Sequence, residues 1–186
     1  MKGIRGKELA RSTAGLLWVL LCGQALQGEG GGLLVSPDWL AARLADENLV
    51  ILYVGAAPHY EAGHIPGASL VELGRISVTS DPGLCVEVPP VEKLREELSR
   101  LGIGDQSQIG LYAGTASYQS MTRVFFTLDY IGAGDRASIL DGGLALWRSE
   151  GRPLSEVATP AAPASLTIRR WWWMLSGYKT TLVSIA

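Results

Sequence analysis

The feature that most constrains the fold is a strand, a loop of small residues and a helix that follow one another in residues 108–128. Ile109 and Leu111 lie in a short apolar run, which is typical of a strand buried on both faces. Small residues without bulk come next and predict a loop: Ala113, Gly114, Thr115, Ala116 and Ser117. An apolar stripe at helical spacing then predicts a helix: Met121, Val124, Phe125, Leu128 and Ile131.

A loop in this position is a common place for chemistry. The first turn of a helix leaves backbone N–H groups without partners, and they favour an anion or a thiolate. The alternative is a plain connection between a strand and a helix, and a nucleophile in the loop would distinguish the two. The hydroxyl candidates are Thr115, Ser117 and Ser120, and no His or Lys lies near them in sequence to activate them.

Strand and helix patterns alternate through the rest of the chain. Apolar runs at 49–54, 69–71 and 137–140 predict further strands, the first of them buried. Ser36 followed by Pro37 predicts a helix start, Pro89 and Pro90 open a helix closed by Gly102, and residues 144–150 form another helix. The alternation favours an α/β fold with a mainly parallel sheet.

Composition limits the classes of function. The chain has 186 residues, 47% hydrophobic and 18% charged, which fits one domain with an ordinary core. The formal net charge is −2, and because residues 1–25 carry +3, the remainder carries −5. An acidic body argues against nucleic acid or an anionic membrane surface as the main partner.

The first 25 residues have the order of a secretory signal. A basic start precedes the apolar run at 16–21, and small residues follow at Gly23 and Ala25. The run is too short for a stable membrane span. We expect cleavage after Ala25 and export to the periplasm or the extracellular space, with a retained anchor as the alternative. Leu21 is too large for a lipoprotein signal at Cys22, and residues 26–32 are expected to be a flexible lead-in.

The region 60–68 contains a histidine in a glycine- and proline-rich turn. Gly63, Pro66 and Gly67 demand a fixed backbone path around His64. His64 is a candidate base or ligand, but a lone histidine in a tight turn more often hydrogen-bonds the backbone, and we favour that interpretation. The two histidines and scattered carboxylates have no usual metal-ligand spacing, so we predict no metal and no cofactor.

The end of the chain departs from the domain pattern. Residues 155–163 are rich in Pro and Ala, as linkers are. Residues 169–186 form an atypical aromatic tail in which Trp171, Trp172 and Trp173 are consecutive. They could pack on the domain, lie at a membrane interface, or result from a chain cut short or read out of frame. We favour the last interpretation because the domain pattern has already ended.

Three stretches together resemble the rhodanese family of sulfurtransferases: 60–68, 111–130 and 140–147. The third contains Asp141, Gly142 and Gly143. The resemblance covers roughly residues 33–155, one rhodanese module, and implies about five mainly parallel strands flanked by helices. It also implies transfer of a sulfane sulfur from thiosulfate or 3-mercaptopyruvate to cyanide or a thiol. His64, Gly67, Asp141, Gly142 and Gly143 are then motif residues of structural importance.

In active members of that family a cysteine directly follows the strand that here ends at Tyr112, and it carries the sulfur as a persulfide. The matching residue here is Ala113, whose methyl group cannot attack a donor. The resemblance therefore implies a catalytically silent module. The remaining loop residues are candidates for binding a thiosulfate-like anion: Gly114, Thr115, Ala116, Ser117 and Tyr118.

Residues 118–126 resemble the non-catalytic N-terminal half of tandem sulfurtransferases, and 164–169 resembles the strand of the linker between the halves. The resemblance implies 156–168 as that linker and a second, catalytic rhodanese module as partner. One departure lies at Tyr53 and Gly55, where the family usually has an acidic residue and an arginine. Cys85 lies in an irregular loop near Glu87, which would raise its pKa, so we favour a free, unreactive thiol.

Two hypotheses from different classes remain. The first is a sulfurtransferase module that supports a catalytic half without activity of its own. The second is a stand-alone binding module of the cell envelope, which uses the loop at 113–118 for an anion or a protein partner.

Overall fold

The computed structural model describes residues 32–79, 87–114 and 118–168. All of them belong to the compact unit that begins at Gly31. The β-strands are β1 Leu34–Val35, β2 Leu49–Val54, β3 Ala68–Val71, β4 Gln108–Ala113 and β5 Ala137–Leu140. The α-helices are α1 Pro37–Ala41, α2 Ala57–Glu61, α3 Val91–Arg100, α4 Tyr118–Tyr130 and α5 Gly143–Ser149. Two short 3-10 helices lie at Leu73–Arg75 and Gly134–Arg136.

The five strands form one parallel sheet in the order β1-β5-β4-β2-β3. The predicted α/β fold with about five mainly parallel strands is confirmed. β4 lies at the centre, between β2 and β5, and its inner residues are buried because helices cover both faces. The register places Val54 beside Ala113, so β2 and β4 end together at the carboxyl edge of the sheet.

Aliphatic side chains fill one face of the sheet, beneath α3 and α4. This aliphatic layer follows the helical and strand periodicities of the sequence closely. Its helix positions include the stripe of α4 and the buried face of α3. Its main buried members are Leu52, Val54, Leu94, Leu98, Ile109, Leu111, Met121, Val124, Leu128 and Leu166.

The other face, beneath α1, α2 and α5, holds the large buried aromatic side chains. This aromatic layer contains Leu40, Ile51, Tyr53, Tyr60, Ile65, Ala68, Tyr112, Leu140, Leu144 and Trp147. Three of the tyrosines meet edge to face: the ring of Tyr53 lies 5.4 Å from that of Tyr112 and 5.5 Å from that of Tyr60. The Trp147 indole N–H donates to the Pro153 carbonyl oxygen at 2.8 Å, so the polar group of this buried ring has a hydrogen-bond partner.

The local signals for the helices work as predicted at α1 and α3. The Ser36 hydroxyl accepts a hydrogen bond from the Trp39 N–H at 3.2 Å, and Pro37 occupies the first turn. Gly102 follows α3 with φ +85°, a conformation that glycine accepts readily. Two short elements, β1 and α2, are missing from the sequence prediction, because two- and five-residue segments are too short to show a period.

Residues 156–168, the strap, pack against the domain and contain no strand. The Ala164 N–H donates to the Ser99 carbonyl at 3.0 Å, and the Asp105 N–H donates to the Ser165 carbonyl at 3.2 Å. Asp105 in turn accepts from the N–H and the hydroxyl of Thr167. The strand expected at 164–169 is absent up to Ile168, because these hydrogen bonds go to the end of α3 and the following turn rather than to a strand.

The strap starts beside one layer and ends in the other. Ser155, the residue before the strap, exchanges two main-chain hydrogen bonds with His64 next to the aromatic layer. The Leu166 side chain, by contrast, is 5% exposed within the aliphatic layer. Between them, Pro160 and Ala161 share a cavity of about 340 Å³ with Ser69 and Leu70 of the edge strand β3. The strap therefore passes the outer edge of the sheet, which protects an otherwise open strand.

Several predictions lie outside the described residues. They are the signal at 1–25, nearly all of the lead-in, Cys85 and the aromatic tail. Within the part of the chain that the model describes, no helix combines the length and apolar character that crossing a bilayer requires.

Candidate functional site

The site is built where three parallel strands end together. Ala113 is the last residue of β4, beside Val54 at the end of β2, and its side chain is 9% exposed. Leu140 ends β5, the neighbour of β4 on the other side. Ligands of open α/β sheets bind beyond the carboxyl ends of such strands.

The turn between β5 and α5 approaches β4 closely. Gly142 and Gly143 have φ values of +67° and +53°, which a side chain would strain. A Cβ on Gly143 would lie 3.2 Å from the Ala113 carbonyl oxygen, and one on Gly142 would collide with the Leu146 side chain. Gly143 therefore lets this turn lie against the end of β4, and Gly142 leaves room for the Leu146 side chain of α5. The Asp141 N–H fixes the start of the turn by donating to the Val35 carbonyl at 2.9 Å.

A cavity of about 120 Å³ opens beside Ala113. It is lined by the end of β4, the first turns of α4 and α5, and the glycine turn: Ala113, Gly114, Tyr118, Met121, Leu140, Gly142, Gly143, Leu144 and Ala145. None of these residues has an ionisable group besides the tyrosine phenol. The lining can bind by shape and by backbone and phenol hydrogen bonds, but it offers no nucleophile.

The structure brings some of the predicted loop residues together. Gly114 and Tyr118 line the cavity, and Tyr118 is 64% exposed at the start of α4. Thr115, Ala116 and Ser117 lie outside the described residues. Ser120 lines a separate cavity of about 420 Å³, together with His59 and Glu72.

His64 lies on the aromatic side and has backbone partners. Its ring is fully buried, stacks on Tyr60 at 3.7 Å and donates from Nδ1 to the Tyr60 carbonyl oxygen at 2.8 Å. Its Nε2 has no hydrogen-bond partner in the described structure. His64 does not line the cavity beside Ala113. The glycine at 67 has φ +80° and open space around it, so the backbone torsion, not packing, requires glycine there.

The histidine turn is nevertheless tied to the site through β4. The Ile65 N–H donates to the Tyr112 hydroxyl at 2.9 Å, and Tyr112 directly precedes Ala113. The Tyr60 hydroxyl donates to the Ala68 carbonyl at 2.6 Å and holds the start of β3. Arg148 adds a hydrogen bond from its guanidinium to the Gly63 carbonyl at 3.1 Å. The motif at 60–68 therefore holds the end of β4 in place through the Tyr112 side chain.

Burial controls the ionisation of this cluster. It raises the pKa of Tyr53, Tyr60 and, most strongly, Tyr112 above the ordinary value for tyrosine. The positive charge of Arg148 opposes the shift at Tyr53 and Tyr112 only in part. The three phenols therefore remain protonated at neutral pH and act through their rings and hydroxyl hydrogen bonds.

Sequence reasoning did not identify Tyr53 or Tyr112 as residues that support the site. The signal that could have identified them is the parallel register, because two tyrosines one residue before the ends of neighbouring strands must lie side by side. Within the described ranges, no group of three or more His, Cys, Asp or Glu side chains could hold a metal ion.

Comparisons with known proteins agree with this geometry. The sequence model of the rhodanese-like domain family matches residues 36–150 of this chain. The chain is 33% identical over 138 residues to a thiosulfate sulfurtransferase of Azotobacter vinelandii, covering 73% of this chain and 50% of the relative. It is 28% identical over 161 residues to the human 3-mercaptopyruvate sulfurtransferase, covering 84% of this chain and 50% of that protein.

A solved structure carries the same fold. The crystal structure of SseA from Escherichia coli, described with the rhodanese fold and mechanism of 3-mercaptopyruvate sulfotransferases, superposes with a TM-score of 0.67 at 26% identity. The match covers 75% of this chain and 56% of that one. This chain belongs to the rhodanese-like family. It spans about half the length of the curated relatives that it matches.

Proposed function

We propose that this chain is a rhodanese-type sulfurtransferase module that cannot itself carry sulfur. The observation that supports the proposal is Ala113, which ends β4 at the mouth of the cavity between Gly114 and the glycine turn. The family resemblance assigns the nucleophilic cysteine to this position. A methyl group has no lone pair with which to attack thiosulfate, so no persulfide forms here.

The partner in this proposal is a second rhodanese module that holds the cysteine. The half-length match to the curated relatives supports it, since the other half of each relative has no counterpart in the matched region. In this arrangement the silent module supports the catalytic one or shapes a cleft between them. The sulfur donor is thiosulfate or 3-mercaptopyruvate, as in the names of the relatives.

A thiosulfate:cyanide assay on the purified chain tests the proposal. We expect no turnover from the unmodified chain, because Ala113 cannot attack the donor. The variant Ala113→Cys restores the thiol, and activity gained only in this variant would show that the loop geometry is intact. The matched control Ala113→Ser restores a polar side chain of nearly the same size without a good nucleophile. Turnover by the unmodified chain would contradict the proposal.

Cys85 is the remaining thiol of the expected mature chain, since Cys22 lies within the expected signal. We propose that Cys85 is unreactive. The variant Cys85→Ser should then leave every result of the assay unchanged, with and without Ala113→Cys. Loss of the activity gained by Ala113→Cys would assign part of the chemistry to Cys85 and would refute this part of the proposal.

The second candidate function is a stand-alone module that binds an anion or a protein through the same loop. The feature that favours it is the cavity of about 120 Å³, where Gly142 and Gly143 leave backbone exposed and Tyr118 offers a hydroxyl. Calorimetric titration with thiosulfate distinguishes the two functions. Binding that Tyr118→Phe weakens would support the binding module, and absence of binding would exclude thiosulfate as its anion.

We also propose that the chain is exported. The basic residues before the apolar run at 16–21, and the small residues after it, support this. N-terminal sequencing of the protein from its native host should begin at Leu26. An intact Met1 would contradict cleavage, and recovery of the protein with the cytoplasm would contradict export.

A further inference from the structure

The proposed function assigns no role to Tyr53, which lies in the stretch where the rhodanese family usually has an acidic residue and an arginine. It lies in β2 with a side chain only 1% exposed, paired in register with Tyr112 of β4. The rings of Tyr112 and Tyr60 meet it edge to face, at 5.4 Å and 5.5 Å between ring centres. The phenol extends toward the carboxyl ends of β2 and β4, where it lies next to Gly55 and Gly114.

The end of the phenol fills the space of two absent side chains. A Cβ on Gly55, after the end of β2, would lie 2.7 Å from Cε1 of Tyr53. A Cβ on Gly114, after the end of β4, would overlap the Tyr53 hydroxyl oxygen. Neither glycine has a φ in the left-handed region, so the backbone torsion does not require glycine at either position. Only the closeness of the Tyr53 ring does.

Gly114 is also the first residue after β4 and thus the start of the loop that carries the site. Because Gly114 lies directly against the Tyr53 hydroxyl, the Tyr53 ring limits where the backbone can run as it leaves β4. From this geometry we propose that Tyr53 is a positioning residue, which fixes Gly114 and thereby the end of β4 beside the cavity. Gly55 and Gly114 are the two glycines whose missing side chains make room for its phenol. The inference goes beyond the silence of Ala113 and does not depend on it.

The consequence is a reciprocal dependence between one aromatic ring and two glycines. A side chain at 114 displaces either the Tyr53 ring or the start of the loop. A smaller side chain at 53 leaves a gap under Gly114, into which the loop can settle. A Phe at 53 keeps most of this contact, since atoms of the ring itself lie against both Gly55 and Gly114.

A double-mutant cycle on the whole chain tests this dependence without any activity. We expect Gly114→Ala to lower the midpoint of thermal unfolding by more than about 5 °C. We expect Gly114→Ala combined with Tyr53→Leu to lose much less stability than the sum of the two single losses. Strictly additive losses would overturn the proposal, because distant, independent sites add.

Gly74 provides the matched control. A Cβ on Gly74 has nothing within 4 Å and its φ is not left-handed, so Gly74→Ala and Tyr53→Leu should simply add. If no variant with Gly114→Ala folds, the same cycle with the milder change Gly55→Ala decides the matter. Coupling between Gly55→Ala and Tyr53→Leu would support the proposed contact of the Tyr53 ring with the two glycines, and additive losses would refute it.

A second readout separates positioning from mere stability. In the chain with Ala113→Cys and Cys85→Ser, we follow alkylation of the introduced thiol by iodoacetamide as a function of pH. The thiolate is the reacting form, so the rate reports the backbone donors and the exposure around the loop. Tyr53→Leu should change the rate several-fold or move its pH midpoint, whereas Tyr53→Phe should preserve both. Equal profiles for all three side chains would overturn the proposal.

Discussion

The helices α3 and α4 cover one face of the sheet with aliphatic side chains, whereas α1, α2 and α5 cover the other with aromatic rings. In the aliphatic layer, contacts such as those of Leu98, Leu111 and Leu128 are non-directional and can be read from periodicity. In the aromatic layer, Tyr60, Tyr112 and Trp147 each combine a buried ring with a hydrogen bond to the backbone. The first layer supplies stability, and the second also fixes loops near the site.

The largest difference between the layers is expected at Trp147. Trp147→Ala should lower the free energy of unfolding by about 3–5 kcal/mol, because it empties a fully buried site in the aromatic layer. Urea denaturation measures the loss. Trp147→Phe retains most of the ring but loses the hydrogen bond to Pro153, and it should cost less. An equal loss in both variants would show that the hydrogen bond, not the packing, dominates.

Leu166 tests whether the strap belongs to the aliphatic layer. Leu166→Ala should cost about 2–4 kcal/mol, since the side chain is 5% exposed and packed in that layer. The matched control is Val157→Ala in the same strap, which is 76% exposed and should change stability by less than about 0.5 kcal/mol. Similar small effects of both substitutions would show that residues 156–168 are a spacer and not part of the folded module.

The hydroxyl of Tyr112 tests the directional character of the aromatic layer. Tyr112→Phe leaves the buried Ile65 N–H without its acceptor and should cost about 1–3 kcal/mol. Chemical denaturation of this variant is best compared with that of Tyr118→Phe, because loss of the exposed Tyr118 hydroxyl should leave the free energy of unfolding unchanged. If Tyr112→Phe changes the free energy of unfolding as little as Tyr118→Phe does, the hydrogen bond between Ile65 and Tyr112 does not stabilise the fold.

The smallest effect at neutral pH, and the one most specific to the aromatic layer, is alkaline sensitivity. Burial raises the pKa of Tyr53, Tyr60 and Tyr112 in the folded chain, whereas an unfolded tyrosine ionises near pH 10. Below about pH 10 both states keep the proton, and the full stability is present. Above about pH 10 only the unfolded state releases it, so stability falls as pH rises.

Unfolding midpoints measured at increasing alkaline pH check this prediction. Tyr112→Phe should flatten the loss above about pH 10 relative to the unmodified chain, because it removes the group whose pKa is raised most. Tyr118→Phe, which removes an exposed phenol, serves as the control for the loss of one tyrosine. An identical slope in all three chains would assign alkaline unfolding to other groups.

The sequence predicts much of the aliphatic layer and less of the aromatic one. The stripe of α4 and the caps at Ser36 and Gly102 are local patterns, so they are visible before any tertiary contact is known. The contact of Tyr53 with Gly114 joins residues from two strands, and only the register of β2 and β4 reveals it. Leu166 is similar, because a single leucine in a Pro- and Ala-rich stretch shows no period.

The cavity beside Ala113 brings together two stretches that the sequence had already singled out. Ala113 and the glycine pair at 142 and 143 lie around it together. Their mutual fit depends on the approach of Gly143 to the Ala113 carbonyl, a contact between β5 and β4 that no local pattern encodes.

Mass spectrometry of the chain after incubation with thiosulfate shows whether any residue of the module can carry sulfur. We expect that the unmodified chain gains no sulfur on any residue, Cys85 included, and that Ala113→Cys gains one sulfur atom at position 113. A persulfide on Cys85 of the unmodified chain would show that the module is not catalytically silent.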